Sequence, residues 1–385
     1  MADTKQLVRF KDGIYDLESS NDQRFRPGRP DDYMIKSMDC NYQYDESLTK
    51  EEINEQKKEL YSFIDSIFLD KSVREYALTY LSSMLQQGNR DKLMTVFLGD
   101  GNNGKTLLCN LIDLTFGSYS HRPPTSQIMG KRTAASGASP DMMLMDKVRV
   151  VMYQEPDKNS TFNSGFAKAI TGGELYTTCR NLFESMRKIK IDCKVIVSAN
   201  LDFSMGVIDK ALAWRVIVIP FMTSFSSDPD KEILEDESSR MYCKKMDKDL
   251  MNKLRGVTTH FARYLLHKYY DKYQSQGLPH SKIIADATQR FIVKGDPIAM
   301  YLSECVVMEP NPKAMVFETD MYLKYKEWNE VNNPGTRAKD SRYFREYLEG
   351  RKFKINRDRV VINASFRKKE NKNKTVIRGA ERRRN

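Results

Sequence analysis

The chain has 385 residues, of which 40% are apolar and 30% charged, and a formal net charge of +11. This is globular composition with room for two or three domains. It contains no run of 18 apolar residues to cross a membrane as a helix, and its first residues, MADTKQLVRFKDG, lack the apolar stretch of a signal peptide.

An intracellular protein without a membrane partner is expected. The six cysteines (Cys40, Cys109, Cys179, Cys193, Cys243 and Cys305) contain no C-x-x-C pair, and the four histidines show no metal-binding spacing. Free thiols are therefore expected in preference to disulfides or a zinc site. Residues 351–385 carry fourteen Lys and Arg against three Asp and Glu, while the two signs balance over the rest of the chain. The basic excess is a property of the C-terminus, and it suits either a polyanion such as nucleic acid or a solvated tail.

In chain order, residues 1–45 read as a small irregular β-rich segment, with short extended pieces at Leu7–Phe10 and Ile14–Leu17. Residues 49–88 read as two helices. Leu60, Phe63, Ile64, Ile67 and Phe68 follow helical spacing, and Thr49 with Glu52 forms a capping-box pattern. A second helix is expected over about Val73–Gln87, ended by Gly88. The apolar stripes serve internal packing or an oligomerisation collar; periodicity does not choose.

Leu93–Thr106, LMTVFLGDGNNGKT, is an apolar strand followed by a G-x-x-x-x-G-K-T loop. This is the phosphate-binding pattern. Gly99, Asp100, Gly101, Asn102, Asn103, Gly104, Lys105 and Thr106 would form the nucleotide cradle. Glycines permit the tight turn, Lys105 reaches the outer phosphates, and the Thr106 hydroxyl suits Mg²⁺. Leu107, Leu108, Leu111 and Ile112 then continue as a helix whose N-terminus favours the phosphate charge.

Three further apolar, β-branched runs follow, at Val148–Tyr153, Val195–Ser198 and Val216–Ile219. They imply an α/β layer with a largely parallel sheet buried on both faces. The first ends in Gln154-Glu155, placing Glu155 to help bind Mg²⁺ and polarise a water. The second ends at Asn200, either a water-orienting amide or a turn residue. Arg215, before the last run, is either a core-edge residue or an arginine finger for a neighbouring subunit. Lys168–Lys194 reads as a β-hairpin with a basic set that includes Arg180, Arg187, Lys188 and Lys190, facing either phosphates or solvent.

Residues 225–236 read as a loop, and helices resume from about 239 to 275 and again over Ile283–Val293. Residues 297–363 read as a winged-helix-like unit. Thr319 and Ser341 are expected to cap its helices, and a hairpin is expected between Phe353–Ile355 and Val360–Ile362. Arg342, Arg345, Arg351 and Lys352 would give it a basic edge suited to DNA.

Taken together, GDGNNGKT (99–106), VRVVMYQEPD (148–157), KAITGGELYTTCRNLF (168–183), KVIVSAN (194–200) and DKALAWRVIVIPF (209–221) resemble the superfamily 3 helicases. Within them, the chain is similar to the ATPase part of poxvirus-type primase–helicases of large DNA viruses and of phage and plasmid replication proteins.

The resemblance implies an AAA+-like P-loop core and a ring, usually a hexamer. Lys105 and Thr106 would take the Walker A role, with Glu155 as the Walker B acid, Asn200 as the sensor and Arg215 as a finger acting in trans. The Lys168–Lys194 hairpin would grip DNA. Many superfamily members have two acids at the Walker B end, whereas here Gln154 precedes Glu155, a variant that fits the viral branch. Related full proteins often carry an N-terminal primase domain, so a standalone helicase and a fragment are both open.

The expected organisation is an N-terminal segment and helical collar (1–92), the helicase core (93–225), a helical extension (226–295), the winged-helix-like domain (296–363) and a basic tail (364–385). The expected function is an ATP- and Mg²⁺-dependent helicase that moves on single-stranded or forked DNA as a homo-oligomer, with an attached or separate primase. If the chain is viral, it would work in the host cytoplasm or at a replication site, with the nucleus also open. The rival readings are a nucleotide-gated DNA-binding initiator and a DNA-stimulated ATPase that does not unwind.

Overall fold

The computed structural model describes residues 6–19, 24–130, 140–157, 162–172, 175–180, 184–235, 242–308, 314–333, 337–351, 353, 355–356, 360–362 and 364–366. Residues 367–385 of the expected basic tail (364–385), Lys352 and the tip of the expected hairpin (181–183) lie outside the described residues. The chain divides into two compact units, Met1–Ile292 and Val293–Asn385.

The first unit begins with a three-stranded antiparallel sheet, β1 (Leu7–Arg9), β2 (Ile14–Asp16) and β3 (Phe25–Arg26). Two helices follow, α1 (Lys50–Ile67) and α2 (Lys71–Ser82). The expected capping box is present: the Glu52 amide donates to Thr49 Oγ1 at 3.2 Å and the Thr49 amide to Glu52 Oε2 at 2.8 Å. Asp70 caps α2 in the same way, accepting from the Ser72 and Val73 amides. The apolar stripe of α1 is used up inside the chain, since Leu60, Phe63, Ile64 and Ile67 are all buried.

The core sheet is parallel throughout. Its strands are β4 (Met94–Leu98), β5 (Ser120–His121), β6 (Val150–Gln154), β9 (Lys194–Ala199) and β10 (Val216–Pro220), in the order β10-β4-β9-β6-β5. Its alternation explains the continuous apolar runs. Phe97, Val150, Met152, Ile196 and Ile219 face one cluster with α1, α2 and α3 (Lys105–Phe116). Val96, Val151, Tyr153, Val197 and Val218 face the other. Each run is thus read by both faces, as buried parallel strands require. The edge strand β5 has no counterpart among the expected strands, because two polar residues after a glycine turn carry no strand pattern.

The short helix α4 (Pro140–Leu144) precedes the acid strand, and between that strand and β9 lie α5 (Ser164–Thr171) and the strands β7 (Leu175–Cys179) and β8 (Arg187–Ile191). β7 and β8 pair antiparallel, as the alternation predicts. α6 (Lys210–Ala213) precedes β10.

The stretch expected as a loop over 225–236 differs. β11 (Ser224–Ser226) pairs in parallel with β12 (Cys243–Lys245), and α7 (Pro229–Glu235) lies between them. Pro229 opens α7 at its first position, a helix signal that the surrounding polarity masks. Then come α8 (Leu250–Gly256), α9 (Thr258–Tyr264), a π-helical turn (Leu265–Tyr270), α10 (Asp271–Gln276) and α11 (Lys282–Lys294).

The second unit holds α12 (Pro297–Cys305), β13 (Val306–Met308), β14 (Met315–Phe317), α13 (Glu318–Asn332), α14 (Ser341–Gly350), β15 (Val360–Ile362) and β16 (Ala364–Phe366). Tyr301, Tyr325 and Phe344 form its core, with Tyr325 stacked on Phe344 at 5.2 Å.

This unit departs from expectation at three points. Thr319 lies inside the first turn of α13, whose cap position is Phe317. Asp340, not Ser341, caps α14, accepting from the Tyr343 amide at 2.8 Å. The strand at 360–362 forms its ladder with β14, and its link to the 353–355 stretch is a single bridge, Ile355 to Val361. Local spacing cannot see a strand partner more than forty residues away.

Candidate nucleotide site

The loop after β4 is shaped by positions that only particular residues tolerate. A Cβ on Gly99 would lie 2.5 Å from the Phe221 carbonyl oxygen. Gly104 has φ +84°, and a Cβ there would strike Ile67 of α1 at 2.5 Å. Asn102 is also left-handed, at φ +53°, and its carbonyl accepts from the Phe225 amide at 2.7 Å. Asparagine bears that conformation better than most residues.

Lys105 opens α3 and is only 6% exposed. Its Nζ donates to Gly99 O at 2.6 Å, Asp100 O at 2.8 Å and Asn103 Oδ1 at 3.1 Å, and it lies 3.4 Å from Asn200 Oδ1. Burial pulls its pKa below the usual lysine value, while Asp100, Cys109 and Glu155 oppose that shift. Asn103 is buried, and its Nδ2 has no partner among the described residues. Thr106 is exposed on the first turn.

Strand order brings the other two expected residues to the same place. β9 lies between β4 and β6, with Ala199 opposite Leu98 and Ser198 opposite Gln154. Gly99, Asn200 and Glu155 therefore all emerge at the carboxyl ends of adjacent parallel strands. Glu155 holds φ +52°, a strained backbone for a non-glycine residue, and its amide donates to Ser198 O at 2.9 Å. Its carboxylate is exposed.

Arg122, just beyond β5, is a site neighbour that no motif points to. It donates to Gln154 Oε1 at 2.9 Å and Asn110 Oδ1 at 2.7 Å, and pairs with Asp113. Gln154 is thus fixed by a guanidinium, next in sequence to Glu155.

Arg215 is not in this cluster. It precedes Val216, which pairs with Met94 at the start of β4, so about 15 Å of strand separates it from the loop. Its Nη1 lies 3.4 Å from Ala211 O, and its buried Nε has no partner among the described residues.

The basic hairpin is a separate feature. Arg187 and Lys188 are exposed, and Ile189 and Ile191 turn inward. Lys190 is 3.4 Å from the buried Asp192 carboxylate, and Arg180 is half-buried.

Among the described residues no group of three or more His, Cys, Asp or Glu could hold a metal ion. Mg²⁺ would therefore need the substrate phosphates in addition to Thr106 and Glu155. The open space at Gly101, the strained loop and the exposed Thr106 fit a phosphate–metal group.

No protein-family model matches the chain. It is 29% identical over 366 residues to "Putative helicase L207/L206" of Acanthamoeba polyphaga mimivirus, covering 94% of this chain and 37% of that protein. It is similar to viral proteins named as helicases. "Putative helicase 121R" of Invertebrate iridescent virus 3 is 27% identical over 342 residues (84% of this chain, 34% of that protein). "Putative primase C962R" of African swine fever virus (strain Badajoz 1971 Vero-adapted) is 22% identical over 280 residues (71% and 29%).

The chain thus spans about a third of the length of the curated relatives it matches. The resemblance to helicase and primase proteins of large DNA viruses extends well beyond the loop motif, over 71–94% of the chain. Among solved structures, the apo C-terminal region of NrS-1 (305–718) is similar at 17% identity and a TM-score of 0.43, over 64% of this chain and 56% of that one. None of the six cysteines is in a disulfide. Among the described residues no helix is long and apolar enough to cross a membrane.

Proposed function

We propose that the chain is the ATP-hydrolysing motor of a superfamily 3 DNA helicase, working on single-stranded or forked DNA as a ring. The observation that carries this reading is the meeting of Lys105, Asn200 and Glu155 at one edge of the sheet. Lys105 would bind the outer phosphates, exchanging its present carbonyl partners for phosphate oxygens. Asn200, 3.4 Å from Lys105 Nζ, would orient a water beside the terminal phosphate. Glu155 would accept that water's proton, in an orientation its backbone has already taken up. Thr106 and Glu155 would hold Mg²⁺, which neutralises phosphate charge when bound.

The insertion of β9 between the loop strand and the acid strand supports the AAA+-like reading of the core. The placement of Arg215 at the far edge of the sheet supports a role on a neighbouring subunit's nucleotide, and with it a hexameric ring. The exposed Arg187 and Lys188 support strand contact by the hairpin. Three helices with short strand pairs support a winged-helix-like second unit. The names of the relatives support a primase in the same machinery.

The initiator reading loses support, because three of the four residues of the expected basic edge already have acidic partners. Arg345 pairs with Glu318 at 2.8 Å, Arg351 with Asp296 at 3.4 Å and Arg342 with Glu346 at 3.1 Å.

The test is steady-state ATP hydrolysis with and without single-stranded DNA, alongside the mass in solution with nucleotide. DNA-stimulated hydrolysis by a ring-sized assembly is expected, followed by strand separation. Inactive Arg215→Ala mixed with inactive Lys105→Ala should recover activity, since each would supply what the other lacks. Hydrolysis by a monomer indifferent to DNA would refute the motor reading.

A further inference from the structure

A cavity of about 770 Å³ lies between α1, the start of α2 and the segment from α9 through the π-helical turn. The nucleotide chemistry makes no use of it. Its walls combine tyrosine faces with cations: Tyr44, Tyr61 and Tyr264 with Lys57, Arg263 and Lys268. Tyr61 is exposed, and its ring lies 4.9 Å from that of Tyr264. The Arg263 guanidinium sits 4.8 Å from the Tyr44 ring, and Lys268 Nζ sits 5.1 Å from that of Tyr264.

The acids in the wall are already occupied. Asp65 pairs with Arg74, and Glu75 takes Lys272 at 3.1 Å and the Tyr269 hydroxyl at 3.4 Å. Among the described residues, Lys57, Lys71, Arg263 and Lys268 have no ion pair. The buried His260 adds no charge, because burial and the neighbouring Lys57 and Arg263 push its pKa down to about 4. The cavity therefore has four cations in excess.

We propose that this cavity is a second strand-binding site, taking a short stretch of single-stranded nucleic acid. A base would stack on Tyr61 and Tyr264, with the flanking phosphates against Lys57, Arg263 and Lys268. Cations alone would suit any polyanion. The adjoining aromatic faces select one that carries flat rings, and stacking plus phosphate contact is how single strands are held without sequence preference. The wall is also built on a π-helical turn, a distortion frequent at functional sites. α1, which supplies Tyr61, ends at Ile67 against Gly104, so the strand site and the phosphate loop share one helix.

The choice of ligand rests on the motor reading, and the experiment separates the two. The full chain is titrated with a fluorescein-labelled 12-nucleotide oligothymidylate at several salt concentrations, followed by anisotropy. Lys57→Glu with Lys268→Glu should weaken binding by about tenfold or more and flatten the salt slope by about 1.4, from two phosphate contacts. Tyr61→Ala should weaken binding about tenfold with the slope unchanged. Photocross-linking of an iodouridine strand to the unaltered chain should label Tyr61 or Tyr264, a readout independent of any variant's folding.

Unchanged affinity in these variants, with binding lost in Arg187→Glu/Lys188→Glu and no cross-link at either tyrosine, would overturn the inference and leave the motor reading standing. No strand binding by the unaltered chain would overturn both. Binding of polyglutamate to the unaltered chain but not to the Lys57/Lys268 variant, with no cross-link of the strand at Tyr61 or Tyr264, would point to an acidic protein partner and also overturn it.

Discussion

The two ends of the parallel sheet both hold buried cations, and they hold them differently. At the carboxyl end, Lys105 is bound by carbonyls and an amide of its own loop, beside the exposed Asp100, Thr106, Glu155 and Asn200. At the amino end, Arg149 is 2% exposed, donates to the Leu7 and Leu85 carbonyls and stacks 3.9 Å from the Tyr119 ring. Lys194, 3% exposed, donates to Gln86 O at 3.2 Å. Arg149 and Lys194 tie the N-terminal sheet and the end of α2 to the core. Burial of a cation is therefore no mark of a site. What marks the carboxyl end is a set of polar groups with solvent on one side.

The largest expected effect belongs to that end. Lys105→Ala and Glu155→Gln should each lower the ATP turnover rate at least 100-fold while leaving the denaturant midpoint close to that of the unaltered chain. A comparable loss from Arg149→Met, at a temperature where that variant is folded, would erase the distinction between the two ends.

Arg149→Ala should instead act on stability, by about 3 kcal/mol, through two unsatisfied carbonyls and an unfilled cavity. Urea unfolding measures it. A change below about 1 kcal/mol would mean that the arginine does not join the two layers.

Lys194 offers a pH test. Burial depresses its pKa to about 8, below the ordinary lysine value that it regains on unfolding. Below pH 8 the proton is bound in both states and the folded state carries the full desolvation cost. Between pH 8 and about 10.5 only the unfolded chain keeps the proton, so this cost fades and stability rises with pH. Lys194→Met should remove that rise, and its stability relative to the unaltered chain should be greatest near pH 7 and fall toward pH 10. Parallel stability curves for the two proteins would refute the assignment.

Strain at Glu155 gives a smaller effect of opposite sign. Glu155→Asn should match or exceed the unaltered chain by up to about 1 kcal/mol, because asparagine tolerates the left-handed backbone, while hydrolysis is lost. A clear destabilisation would show that the glutamate side chain stabilises the fold by more than its backbone strain costs. Thr49→Ala at the capping box of α1 should cost about 1 kcal/mol and leave hydrolysis unchanged.

The loop residues 99–106, four of the five sheet strands, the basic hairpin and the Thr49–Glu52 cap were legible in the sequence because each rests on short-range chemistry. A turn needs glycine or asparagine at fixed offsets, a doubly buried strand needs an unbroken apolar run, and a cap needs an acceptor three residues from its donor. The tertiary structure alone decided what depends on distant partners. Strand order made Gly99, Asn200 and Glu155 neighbours and put Arg215 at the other edge. Tertiary packing also set Arg122 on Gln154, paired the 360–362 strand with Met315–Phe317, and gathered tyrosines and cations from several helices around one cavity. Those choices come from burying two faces of a sheet at once, a condition that no local window of residues contains.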